Sequence, residues 1–426
     1  MEVRHAAPAS VEDLRRHEIT RLVAAGLVVL VAADVRGPLG SSVGTLAGLA
    51  LLPVWWAGAR PSRAARLVLG LVVASWLSGL WLTWYASGDH AVLDHQVVAW
   101  SFSILGLGVA VGAVLWARRL WSTPIVAALF GVGMLLAAAD DVGAPNPWKV
   151  ALGVAVAVVL LGLAWQRRSR ATEVVLVLLL GAISAQSDSR SMFAMFVLTA
   201  GIVIWQSWTP PPRRTGALGR YLVLLTLLGA AVYSLGEALA LEGFLGEDAE
   251  QRTAAQVGRS GSLILGARPE IGATLALMQW RPLGFGFGTV PRTDDIMAAK
   301  AGMAQLNYDP DNGYVERYMF GGLVELHSMI GDAWALFGIP GFALCAVLTV
   351  VLVRALVQHL ASRTASALLV FLTVRCLWDM LFGPLYSSLP ILALTAGLAL
   401  HAPVVHRSRS RTGARSRGAP VKTTVR

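Results

Sequence analysis

Residues 329–353 read MIGDAWALFGIPGFALCAVLTVVLV, and residues 306–328, immediately before them, read LNYDPDNGYVERYMFGGLVELHS. The first stretch is apolar apart from Asp332 and is long enough to cross a bilayer, for which about 17 to 25 such residues suffice. The second is polar and rich in turn formers, with the cluster Tyr308-Asp309-Pro310-Asp311-Asn312-Gly313. That change of solvent at His327-Ser328 decides the reading of the chain. Upstream, the polar character extends back to Leu241. Beyond it on both sides lie more apolar runs, about twelve in all, near 19–35, 42–58, 67–85, 97–117, 122–139, 148–165, 172–187, 190–208, 221–240, 329–353, 364–382 and 385–402.

Composition agrees, since 56% of the residues are hydrophobic and 14% charged, against about 45–50% and 25% in soluble domains. In lipid the backbone must satisfy its own hydrogen bonds, so each run is expected as a helix. The expected fold is an all-α polytopic membrane protein. Its organisation is a segment 1–18, spans one to nine over 19–240, a polar loop over 241–328, spans ten to twelve over 329–402, and a basic tail over 403–426. Basic residues of short loops set orientation. One side collects Arg15, Arg16, Arg60, Arg63, Arg66, Arg118, Arg119, Arg167, Arg168, Arg170, Arg213, Arg214, Arg354 and Arg363, and the other keeps only Arg36, Lys149 and Arg190 in its short loops. This asymmetry predicts both termini in the cytoplasm and the 241–328 loop outside. Met1 to Arg16 is polar, and the first apolar run reads as a span rather than a cleavable signal.

The net charge of +10 owes much to the tail, which reads as a disordered topology anchor touching anionic lipid rather than as a nucleic-acid site. The two cysteines, Cys345 and Cys376, fall in expected spans and support neither a disulfide framework nor a thiolate metal site. Within the polar loop, apolar spacing predicts a helix over Gly258 to Trp280, interrupted only by Pro269, and a second over Asp294 to Gln305.

Several residues could carry chemistry. His327 is an imidazole at the junction, beside Ser328 and close to Glu325, and it serves equally well as a base or as a helix cap. Arg190 opens a span against the orientation bias, with Asp188 as its expected partner; alternatively it belongs to an anion site, since guanidinium binds phosphate oxygens in a fork. Arg259, Arg268, Arg281, Arg292 and Arg317 add guanidinium on the same side. Asp309-Pro310-Asp311 looks like a metal-binding Asp-x-Asp but reads better as a turn. Gly284, Gly286 and Gly288 lack the strand and the Gly-Lys-Ser of a phosphate-cradling loop. Glu316 and Glu325 could form a carboxylate pair, and His90 and His95 with Asp89 and Asp94 a composite metal site. Arg375 and Asp379, four apart, are expected as an intramembrane ion pair.

Three patterns together resemble the O-antigen ligase and polymerase superfamily of bacterial membrane glycosyltransferases. They are His327-Ser328-x9-Gly338-x2-Gly341, Arg268-x15-Gly284 with its Pro282-Leu283-Gly284-Phe285-Gly286 turn, and Ser189-Arg190 at a helix start upstream of the polar loop. The resemblance covers about residues 180 to 345. It implies transfer of a glycan from an undecaprenyl-diphosphate carrier to a hydroxyl of a lipid, protein or glycan acceptor, at the outer face of the cytoplasmic membrane. It further implies inversion at the anomeric carbon and neither metal nor cofactor. His327, Arg268 and Arg190 are then the expected catalytic residues, with Arg259, Arg281, Ser328 and Glu325 joining Arg190 and Arg268 in substrate binding. Ligase-type transfer is the reading preferred here. A polymerase joining carrier-linked repeats and a lipid-linked oligosaccharide flippase are the alternatives. A flippase is expected to carry buried charges through many spans. A related enzyme type using polyprenyl-phosphate sugars needs an acidic residue in the first external loop, and Arg36 to Ser41 has none beyond Asp34 at the span end.

Overall fold

The computed structural model describes residues 11–60, 62–208, 247–260 and 268–400, with scattered positions between 219 and 234. Among these residues the protein is all-helical; the only β pairings are two isolated bridges, Arg36 with Ser42 and Val92 with Thr289. The helices are α1 (Val11–Ala33), α2 (Val43–Ala50), α3 (Leu52–Ala59), α4 (Arg63–Ala86), α5 (Asp94–Ala117), α6 (Thr123–Ala137), α7 (Gly153–Arg167), α8 (Arg170–Gln186), α9 (Arg190–Trp208), α10 (Glu247–Ser260), α11 (Glu270–Trp280), α12 (Thr293–Ala304), α13 (Met329–Ala361), α14 (Ala367–Phe382) and α15 (Leu385–Ala399). Serines start many of them. Ser42, Ser62, Ser169, Ser328 and Ser366 each accept a hydrogen bond from the backbone N–H three residues on, which satisfies a donor that the first helical turn leaves without a partner.

Among the described residues, six helical stretches are long and apolar enough to cross a membrane: Arg63–Ala86, Asp94–Ala117, Thr123–Asp141, Trp148–Arg167, Arg190–Trp208 and Met329–Ala361. The run expected over 42–58 is two short helices, α2 and α3, that meet at Leu51. Pro53 is the cause, since it has no N–H to give and its ring crowds the preceding turn. Eight residues extend only ~12 Å, so neither piece spans ~30 Å of hydrocarbon alone. At the other end of that loop region, α1 begins at Val11, inside the segment 1–18 that was read as preceding the first span. The expected span 221–240 and the tail 403–426 lie largely or wholly outside the described residues.

The largest core cluster joins α4, α5, α13, α14 and α15 with α1, α6, α7 and α9. A second, smaller cluster belongs to the polar loop. Ala273 and Leu277 of α11, Ala299 and Met303 of α12, and Phe285, Met319 and Leu326 pack together against Trp334 and Ala335 of α13. The polar segment thus folds as a cap with its own apolar centre, seated on the start of α13.

Candidate functional site

The junction read from the sequence is a folded corner. Ser328, not His327, caps α13: its hydroxyl accepts from Gly331 N–H at 3.3 Å and donates to the Met380 carbonyl at 3.0 Å. The buried carboxylate of Asp332 accepts from Leu326 N–H at 2.6 Å and from Leu385 N–H at 2.8 Å. Between these two anchors His327 takes a left-handed backbone, φ 52°, a conformation that costs a side-chain-bearing residue about 1 kcal/mol or more. Its Nδ1 is buried and has no hydrogen-bond partner among the described residues. A helix-capping role for His327 is therefore excluded.

The two glycine patterns form one knot below this corner. Gly338 breaks the helical backbone of α13 at φ 63°, and Pro340 follows inside the same helix. A break of this kind frees carbonyls of the preceding turn, and the Pro282–Gly288 turn supplies donors to them. Phe285 and Gly286 N–H both donate to the Ala335 carbonyl, at 2.7 and 3.0 Å, while Trp334 Nε1 donates to the Pro282 carbonyl at 2.9 Å. Contact is close enough that a Cβ on Gly284 would lie 2.5 Å from the Trp334 oxygen, and one on Gly338 2.7 Å from the Leu283 oxygen. Gly284, Gly286 and Gly288 thus serve helix packing rather than anion binding, and two of the turn's N–H groups are already taken.

The knot presents α11 to α13 and α14 across a cleft of about 270 Å³. Arg268, Glu270, His327 and Ser328 line its polar side; Ile271, Leu275, Met278, Ile330, Phe342, Leu381 and Phe382 form the apolar side. The helix expected over Gly258 to Trp280 is not one element: residues 261–267 lie outside the described residues, Arg268 and Pro269 are not helical, and α11 starts at Glu270. Pro269 occupies the N-cap position, where a missing N–H costs nothing. Arg268 consequently stands ahead of the helix rather than inside it. Its guanidinium forms no hydrogen bond or ion pair among the described residues, and its charge acts on both Tyr314 and Asp379. Glu270, in the first turn of α11, accepts from the Tyr314 hydroxyl at 2.5 Å through Oε1, and its Oε2 is buried without a partner. Burial, reinforced by the Glu270 charge, pushes the Tyr314 pKa up, so the phenol stays protonated and donating. The Tyr314 ring also lies against His327, 6.4 Å between centroids.

The remaining expected site residues lie elsewhere. Arg190, at the start of α9, donates to Thr253 Oγ1 of α10 at 3.4 Å and does not line the cleft; its expected ion pair with Asp188 is not formed. Arg259 is on α10, and its side chain lies outside the described residues. Glu325 is exposed. Arg281 turns away, donating to Asp89 Oδ2 at 3.3 Å and to the Gly284 carbonyl at 3.2 Å. It joins a second network around buried His90, whose ring nitrogens face Asp89 at 2.7 Å and Asp295 at 2.9 Å. Trp280 Nε1 and Arg292 N–H complete the shell of Asp295. That network ties the loop after α4 to the start of α12. It replaces the metal site considered for His90, His95, Asp89 and Asp94; no group of three or more His, Cys, Asp or Glu that could hold a metal occurs among the described residues. Glu316 pairs with Lys300 at 2.5 Å, which holds its carboxyl below the usual range, so it is not matched with Glu325. Asp309 and Asp311 form the expected turn, Asp311 N–H donating to Asp309 Oδ1 at 2.9 Å.

Glu270, Tyr314 and Asp332 had no role in the sequence reading. Tyr314 meets Glu270 across 44 positions and Asp332 meets Leu385 across 53, beyond any helical or strand periodicity. Compared with models of protein families, with curated proteins and with solved structures, the chain has no match, so its function rests on the chemistry of this cleft.

Proposed function

We propose that the protein is a multi-pass membrane glycosyltransferase of the O-antigen ligase type, which moves a glycan from undecaprenyl diphosphate to an acceptor hydroxyl at the outer face of the cytoplasmic membrane. The observation that carries this reading is one cleft in which a guanidinium without a partner, Arg268, and an imidazole with a buried free nitrogen, His327, stand opposite a wall of large apolar side chains. Such a cleft suits a ligand that is anionic at one end and hydrocarbon at the other. Leu275, Phe342 and Leu381 line it while remaining about half exposed, so the wall continues onto the outer surface of the helices. In a bilayer that surface faces lipid and offers a polyprenyl tail a sideways entrance.

In this reaction the acceptor oxygen attacks the anomeric carbon, and the bond from that carbon to the diphosphate breaks with its electron pair leaving on the phosphate oxygen. Arg268 stabilises the charge that develops there. His327 orients the acceptor hydroxyl and takes its proton, a role worth about 10²- to 10⁴-fold in rate. Arg190, at the start of α9, and Arg259, on α10, would attract the diphosphate during approach. The twelve-span arrangement with both termini in the cytoplasm and the 241–328 cap outside is part of this proposal and is supported by the distribution of arginines.

The test uses purified protein in vesicles, with an undecaprenyl-diphosphate oligosaccharide, candidate acceptors and a chelator. Transfer that resists the chelator, and that His327→Ala and Arg268→Ala each abolish while the variants remain folded, is the expected outcome. Retained transfer in both variants would remove these residues from the reaction, and carrier translocation without glycosidic product would establish a flippase instead.

A further inference from the structure

Glu270 is the one acidic residue lining the cleft, and a diphosphate cannot explain it. A carboxylate beside the phosphate site repels the very group that Arg268 attracts. Yet the residue is only 5% exposed, and burial of a carboxylate oxygen without a hydrogen bond is costly. Its geometry is also held rigidly. It sits at the first position of α11, where the helix dipole favours negative charge, and the Tyr314 hydroxyl fixes Oε1 at 2.5 Å. Tyr314 is itself packed among Tyr308, Tyr318 and His327. What this leaves is one acceptor, Oε2, buried without a partner on a residue that lines the cleft beside Arg268.

An uncharged hydroxyl donor satisfies such an atom without repulsion. In a carrier-linked glycan, the hydroxyls nearest the diphosphate belong to the sugar attached directly to it. We infer that Glu270 Oε2 accepts a hydrogen bond from a hydroxyl of that first sugar, and that Tyr314 acts as its positioning residue by occupying Oε1. The inference rests on the glycosyl-transfer reading of the cleft. It adds the division of labour within it: Arg268 reads the diphosphate and Glu270 reads the sugar. An anomeric sugar held by a charged acceptor is also placed for attack, because hydrogen bonds to ring hydroxyls strengthen as the anomeric carbon gains positive charge.

The experiment separates the two recognitions with short-chain probes in detergent. Affinity is measured by titration calorimetry for farnesyl diphosphate and for farnesyl diphosphate carrying galactose or N-acetylglucosamine, with wild type, Arg268→Ala, Glu270→Ala, Glu270→Gln and Tyr314→Phe. Arg268→Ala is expected to weaken all probes. Glu270→Ala is expected to leave farnesyl diphosphate bound as tightly as before, or more tightly, while the ratio of affinities for sugar-bearing over sugar-free probe falls about tenfold or more, the size of a hydrogen bond to a charged group. Tyr314→Phe should lower the same ratio by a smaller factor. A ratio unchanged in Glu270→Ala overturns the inference even when Arg268→Ala behaves as expected. If Glu270→Ala binds no probe at all, the ratio in Glu270→Gln decides: a fall supports the role and an unchanged ratio removes it. Equal binding of farnesyl diphosphate by wild type and Arg268→Ala refutes the diphosphate reading itself, and failure of wild type to bind any probe refutes both.

Discussion

Two ends of the helical bundle use arginine in opposite ways. Where α8 begins, Arg170 donates to Glu173 at 2.7 Å, to the Ala365 carbonyl at 2.6 Å and to the Arg363 carbonyl at 3.3 Å, and Glu173 in turn accepts from Ala367 N–H at 3.3 Å. On α5's last turn, Arg118 donates to the Gly397 and Leu398 carbonyls at the end of α15, at 2.7 and 2.9 Å. These guanidiniums satisfy carbonyls that helix ends leave without partners, and they hold the bundle together. Where α13 begins, Glu270 Oε2 and His327 Nδ1 are buried without a partner around one cleft, and Arg268 beside them forms no hydrogen bond or ion pair among the described residues. The clamp end also has a buried atom without a partner, Gln206 Oε1, so what marks the α13 end is that its unpartnered groups line one cleft.

The largest expected effect tests the open end. Arg268→Ala should lower glycan transfer about 10²- to 10³-fold while leaving the thermal unfolding midpoint in detergent unchanged; a large drop in the midpoint would place Arg268 with the clamps. The converse substitution at the other end is Glu173→Ala. It leaves the part-exposed Arg170 with only its carbonyl partners and should cost about 2 kcal/mol of stability, read from unfolding, with transfer per folded molecule preserved. Gly284→Ala drives a methyl group into the Trp334 carbonyl at a left-handed position and should destabilise the knot by about 1–3 kcal/mol. Unfolding curves that match wild type would separate the two glycine patterns again. Ser328→Ala removes a cap and should cost about 1 kcal/mol.

The smallest effect concerns acid. His90, hydrogen-bonded to Asp89, and then Arg281 hold the Asp89 carboxyl below its ordinary range. A depressed folded-state pKa gives stability that is complete above the unfolded value, about 3.9, and lost as pH falls through the folded one. Asp89→Asn should therefore lower stability slightly at neutral pH and flatten its decline below about pH 4, so that the difference from wild type closes in acid. An equally steep decline in the variant would assign the acid limb to other groups.

Much of the architecture was legible because it depends on local chemistry. Long apolar runs became helices at 63–86, 94–117, 190–208 and 329–361, and the Asp294 to Gln305 helix appears at Thr293–Ala304. The failures are also local in origin. Pro53 divides the 42–58 run, and Pro269 caps α11, although apolar spacing continues through both places. Of the expected site, Arg268, His327 and Ser328 meet in one cleft, while Arg281 is absorbed by the Asp89 and His90 network and Glu325 faces outward.

By itself, then, the sequence determined the helical character of the described residues and set a polar segment ahead of the long apolar helix that starts at Met329, because hydrophobic periodicity and length act over neighbouring residues. It also picked out Gly284, Gly338 and Gly341, but only as parts of the patterns that carry the family resemblance. Tertiary structure alone decided that these glycines bring one turn against one kink, that Ser328 rather than His327 is the cap, and that Tyr314 fixes one oxygen of Glu270 and leaves the other free. Those outcomes depend on pairs of groups far apart in the chain. Which polar atom lacks a partner is set only when every neighbour is in place.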